Sequence, residues 1–233
     1  MSMRMRSWPA GLALLVGGLM AGICHLFNSD SPTDLAHLAQ YPPLGALVHL
    51  VLFIGGLLVL LGWFGHYALQ HSSVGTIGLA AFVCLFLGIL WADLMHSILE
   101  FSVFPVLDQV APYALPGLAD ATYRSTPVSL LLTAGRILLL AGVPAAAMAV
   151  YRSANVRRWQ GIPFALTAAL QVLAILPRSG ESIHNLALTA LYFSMAFLGM
   201  ALLLASRSAA ISTAPIAQGR NAISYEDSRP AAR

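Results

Sequence analysis

Long apolar runs alternate with short polar breaks along the chain, and six of them reach the roughly 20 residues that a helix needs to cross hydrocarbon. They are Trp8–Phe27, Leu44–Leu69, Val74–Leu99, Val128–Tyr151, Trp159–Leu176 and Ile183–Ala205. The pattern predicts an all-α fold, a polytopic bundle of six transmembrane helices. The fifth run is the shortest and contains Pro163, so it carries the weakest signal. Trp8, Trp63, Tyr67, Tyr151 and Trp159 lie at segment ends, where amphipathic rings anchor at a membrane interface.

Arginine placement sets an expected orientation. With the N-terminus inside, the inner side holds Arg4, Arg6, Arg152, Arg157, Arg158, Arg207, Arg220, Arg229 and Arg233. The outer side holds Arg124 and Arg178, and Arg136 lies within the fourth run. Nine against two follows the positive-inside rule and places both termini in the cytoplasm of a bacterial-type inner membrane.

The breaks between runs carry their own signals. Ser31-Pro-Thr-Asp34 reads as the start of a short surface helix with Pro at its first position, and His37 falls on that helix as a solvated residue. The stretch 100–126 has Pro105, Pro112 and Pro116 among Phe101, Phe104, Leu107 and Leu115. It is too apolar for a solvated linker and is expected to cap the bundle. Residues 1–206 thus read as one transmembrane domain, and 207–233, rich in Ser, Ala and Arg, as a disordered cytoplasmic tail.

Composition agrees with this picture. Of 233 residues, 58% are hydrophobic and 9% charged, with a mean hydropathy of +0.78. Soluble domains run near 25% charged, so the apolar surface here is expected to face lipid. A net charge of +3 on scattered arginines gives no case for nucleic acid. Cys24 and Cys84 sit inside apolar runs as free thiols. Ile23 before Cys24 does not suit a lipoprotein cleavage site, so the first segment reads as a retained helix.

Against this apolar background the ionisable residues stand out. Asp93, His96, Ser97 and Glu100 fall within roughly a 100° arc at helical periodicity, near the outer end of the third run. A carboxylate there is costly in hydrocarbon and is expected to face the bundle interior with a partner. His49 begins the second run at similar depth, and His25 ends the first on a seam with Gly18 and Gly22, a GxxxG pair suited to helix packing. Arg136 shares a face with Ser129 and Thr133, and the last run aligns Ser182, Asn185, Thr189 and Tyr192, with His184 pointing away. In the fifth run Gln160, Thr167, Gln171 and Arg178 align. The expected result is an outward-facing pocket lined by His49, Asp93, His96, Glu100 and Arg136.

Such a pocket suits a metal or small ligand, with redox or hydrolytic chemistry as options and no catalytic residue assigned. His49, His96 and Glu100, with Asp93, form a donor set for a divalent metal. His49 and His96 alone could be axial ligands of haem b. A proton-coupled or small-molecule transporter would use Asp93, Glu100 and Arg136 but needs a polar path through the inner half, where Gln160, Thr167, His66 and His71 are the main polar residues. In the plain structural alternative the protein is a non-catalytic membrane subunit whose polar cluster only fastens helices. Geometry separates these readings. Ligands need His49 and His96 nitrogens within about 4–5 Å of each other, whereas a fastener pairs Arg136 with Asp93 or Glu100 in hydrogen-bond contact. The expected partner common to all readings is the lipid bilayer. No nucleophile, dinucleotide or P-loop motif is present.

Overall fold

The computed structural model describes residues 3–27, 43–153, 156–174 and 180–212, and all their regular structure is helical. The expected surface helix from Ser31, His37, Arg178 and the tail from residue 213 lie outside the described residues. We number the α-helices α1 (Met3–Phe27), α2 (Pro43–Ile89), α3 (Met95–Ile98), α4 (Phe104–Val110), α5 (Leu115–Arg124), α6 (Thr126–Arg152), α7 (Ile162–Ala174) and α8 (Gly180–Ser212). Two π-helical turns, Leu90–Leu94 and Leu99–Val103, flank α3.

Among the described residues four helical stretches are long and apolar enough to cross a membrane: Ser7–Phe27, Gly45–Val110, Thr126–Arg152 and Ile183–Ser206. The second is 66 residues long and folds back on itself. Gly75 breaks it with φ 57° and ψ −144°, a conformation that side chains with a Cβ rarely adopt. Tyr67 stacks on Phe82 (5.0 Å between centroids) and Phe53 meets Phe101 (5.4 Å), so the limbs before and after Gly75 run antiparallel.

Pro127 and Pro163 each stand in the first turn of their helices, where the missing N–H costs nothing. The described part of α7 is 13 residues long, preceded by a 3₁₀ turn in which the Arg157 N–H donates to Gln160 Oε1. The 100–126 stretch is not a loop. Helix continues through Glu100 to Val110, and after a 3₁₀ turn α5 returns, so that Phe104, Leu115 and Ala119 bury a small core of their own.

Small residues let the backbones approach. Gly17 of α1 lies against Gly55 of α2, where an added Cβ would come 2.5 Å from the Gly55 carbonyl oxygen. The opposite side of α1 meets α8: Gly18 faces the Tyr192 carbonyl and Ala196, Gly11 faces Gly199, and Gly22 lies under the Phe193 ring. Gly135 and Gly142 of α6 approach Ala92 and Cys84 on the second limb. The outward stripes are apolar: Leu12, Val16, Leu19, Ile23 and Leu26 on α1, and Leu47, Leu50, Ile54, Leu57, Leu61 and Phe64 on α2, all at helical spacing. Stripes of this kind suit contact with lipid.

Candidate functional site

Both carboxylates of interest lie in the π turns, Asp93 in Leu90–Leu94 and Glu100 in Leu99–Val103. A π turn inserts an extra residue into the helical repeat and re-aims the side chains around it, and such turns recur at functional sites. The effect here is to divide what uniform α-helical periodicity would put on a single face.

Asp93 points to α1 and α8. Its Oδ2 accepts a hydrogen bond from the Tyr192 hydroxyl, and its Oδ1 lies 3.2 Å from His25 Nε2, ion-pair distance without hydrogen-bond alignment. The His25 ring stacks on Tyr192 with centroids 5.4 Å apart. Asp93 is 2% exposed, and His25 and Tyr192 are buried as well.

Glu100 and His96 turn the other way, to α5. The Tyr123 hydroxyl donates to Glu100 Oε1 at 2.5 Å and lies 2.9 Å from His96 Nδ1. His96 Nε2 is 4.0 Å from Glu100 Oε1. His49, its Nδ1 at 2.9 Å from the Gly45 carbonyl, brings its ring against His96 with centroids 5.6 Å apart and planes at 64°. Ser97 donates back to the Asp93 carbonyl at 3.0 Å, a local helix bond.

His49, Asp93, His96 and Glu100 are thus gathered at one end of the bundle. Arg136 is not part of that contact set. Its residue is exposed on α6, and among the described residues no arginine forms an ion pair with either carboxylate. Among the described residues no three of His, Cys, Asp and Glu converge closely enough to hold a metal ion. The metal reading of His49, His96 and Glu100 therefore finds no support in this geometry, and Tyr123 supplies the reason by holding Glu100 and His96 itself. The edge-to-face meeting of His49 and His96 is also unlike the facing nitrogens of two axial haem ligands.

Three members of the cluster were not assigned to the pocket on sequence grounds. Tyr123 comes from the cap and carries no pattern of its own. Tyr192 lies on the polar stripe of the last run, and His25 on the glycine seam of the first. Their signal was a polar group at the right depth, which only the packing of α1, α5 and α8 turns into contact.

The chain matches no family model, no curated protein and no solved structure.

Proposed function

We propose that this is a membrane protein whose outer-half acid–base site takes up and releases protons. The observation that carries the reading is Asp93. It is buried and held by a tyrosine hydroxyl and a histidine, with no described arginine against it. An ionised carboxylate so placed costs several kcal/mol unless positive charge compensates it. Glu100 repeats the arrangement with Tyr123 and His96. Two buried carboxylates, each held between a tyrosine hydroxyl and a histidine, favour uptake of a proton, and intramembrane groups of this kind mark proton sites. His49 and His96, at the more exposed end of the cluster, are the groups to meet a proton first.

The same reading takes the chain to cross the membrane six times, with both termini in the cytoplasm of an inner membrane. The hairpin at Gly75 supports a division of the 66-residue stretch into two crossings, and α7 (Ile162–Ala174) lies in the shortest expected run. The arginine asymmetry supports the orientation.

A second reading, fastening alone, is favoured by the fact that Asp93 joins α1, α8 and the second limb of the hairpin. The two readings part on whether the carboxylates exchange protons in the folded protein. Infrared titration of the carboxyl bands, with Asp93→Asn and Glu100→Gln beside the wild type, tests this.

A further inference from the structure

The inner half of the bundle holds buried polar groups that the outer cluster does not use. On the first limb of α2, Trp63, His66 and Gln70 share one helical face and are each 3% exposed or less. Trp63 Nε1, His66 Nδ1 and Gln70 Nε2 have no hydrogen-bond partner among the described residues, and neither has Gln171 Oε1 on α7. Each such atom forfeits roughly 1–3 kcal/mol unless something meets it. Internal water is the usual partner of buried polar groups in a roomy polar site.

Their depth follows from contacts between helices. Both α2 and α8 run antiparallel to α1, as Gly17 against Gly55 with Leu14 against Gly62, and Gly18 against Ala196 with Gly11 against Gly199, require. An added Cβ on Gly56 would lie 3.5 Å from the Tyr192 hydroxyl, so the start of the inner half adjoins the Asp93–Tyr192 pair. Trp63 is seven residues further in, about 10 Å by helical rise, and its ring meets Phe164 of α7 at 6.3 Å. Because α7 runs antiparallel, Gln171, seven residues beyond Phe164, returns to the level of Gly56 and Tyr192. Between these levels the Thr167 and Ser194 hydroxyls bond each other at 3.1 Å. Polar groups therefore succeed one another from Tyr192 and Gln171, through Thr167 and Ser194, to Trp63, His66 and Gln70. Gln70 reaches the turn at the inner end, where Ser73 donates to its Oε1 at 3.1 Å.

We infer that this column holds a file of internal water and carries protons between the outer cluster and the opposite end of the bundle. The inference rests on the acid–base reading of Asp93. A proton held there passes to water beside Tyr192 and Gln171, then along the Thr167–Ser194 pair to His66. His66 takes it on one ring nitrogen and releases one from the other to the water of the file beside Gln70. Reorientation of the imidazole restores the starting state, so the net change is one proton moved. The His66 ring lies against Trp63, with 5.4 Å between centroids.

The test uses the full chain in proteoliposomes loaded with potassium and a trapped pH dye, with valinomycin setting an inside-negative potential. Wild-type vesicles should acidify several-fold faster than protein-free ones. His66→Phe and Gln171→Leu, on different helices, should return the rate to the protein-free level. His71→Phe should not, because His71 is exposed and bonded to the Ala68 carbonyl. Gel-filtration profiles identify any variant that fails to fold, and the other then decides. Acidification no faster than in protein-free vesicles, or unchanged in both column variants, overturns the inference. If infrared titration nevertheless shows Asp93 exchanging protons, the outer site stands and only the path falls.

Discussion

Tyr192, on the last helix, donates a hydrogen bond to Asp93, 99 residues earlier in the chain. The bond crosses from α8 to the π turn that ends the second limb of the hairpin, and His25 of α1 closes on the other carboxylate oxygen. One buried carboxylate thus ties together α1, α8 and the second limb of the hairpin.

Removing the hydroxyl leaves the carboxylate short of a donor in an apolar interior. Tyr192→Phe should lower stability by about 1–3 kcal/mol, read as a lower thermal transition in detergent. Asp93→Asn in the same background should cost less than it does alone, because the two residues share one interaction. Strictly additive effects would mean that the contact contributes nothing.

Tyr123 is the tie between the cap and the bundle. Tyr123→Phe should loosen residues 104–124 while leaving α1, α6 and α8 as they are, seen as faster hydrogen exchange confined to the cap. Unchanged exchange in the cap would show that Phe104, Leu115 and Ala119 hold it without that bond.

The α1–α2 interface leaves no room for a methyl group at Gly17. Gly17→Ala should cost about 1–3 kcal/mol through overpacking. Gly117→Ala, where nothing lies within 4 Å of an added Cβ, should be close to neutral in the same thermal assay.

Gly75 differs in kind, since space is open around it and the backbone angle is the constraint. Gly75→Ala should cost on the order of 1–3 kcal/mol from strain alone. Equal stability of the two proteins would show that the hairpin can turn elsewhere in 70–76.

Much of this architecture could be read along the chain, and the limits of that reading are physical. The apolar runs announce helices because hydrocarbon demands uninterrupted internal hydrogen bonding, and the Gln70–Gly75 break falls between two of them. Asp93, His96 and Glu100 are conspicuous because charge is rare at that depth. The π turns are not encoded in any periodicity, so side-chain directions computed at 100° per residue go astray from Leu90 onward. Arg136 illustrates the same limit. Its face on α6 is clear from Ser129 and Thr133, but whether that face meets the carboxylates depends on how α6 packs, and its glycines turn toward Ala92 and Cys84 instead. Tyr123 escapes notice, and Tyr192 shows only as one member of a polar stripe, because a tyrosine in an apolar helix is unremarkable until its hydroxyl finds a partner.

The most direct test of the account is whether Asp93 and Glu100 gain and lose protons in the folded protein. Infrared difference spectra of the reconstituted protein, recorded across pH, report the carbonyl band of a protonated carboxyl. The account predicts a reversible signal, part of it lost in Asp93→Asn and part in Glu100→Gln, while the helical amide bands stay constant. Carboxylates that keep one state until the helices unfold would contradict it and leave the cluster as a fastening of α1, α8 and the hairpin.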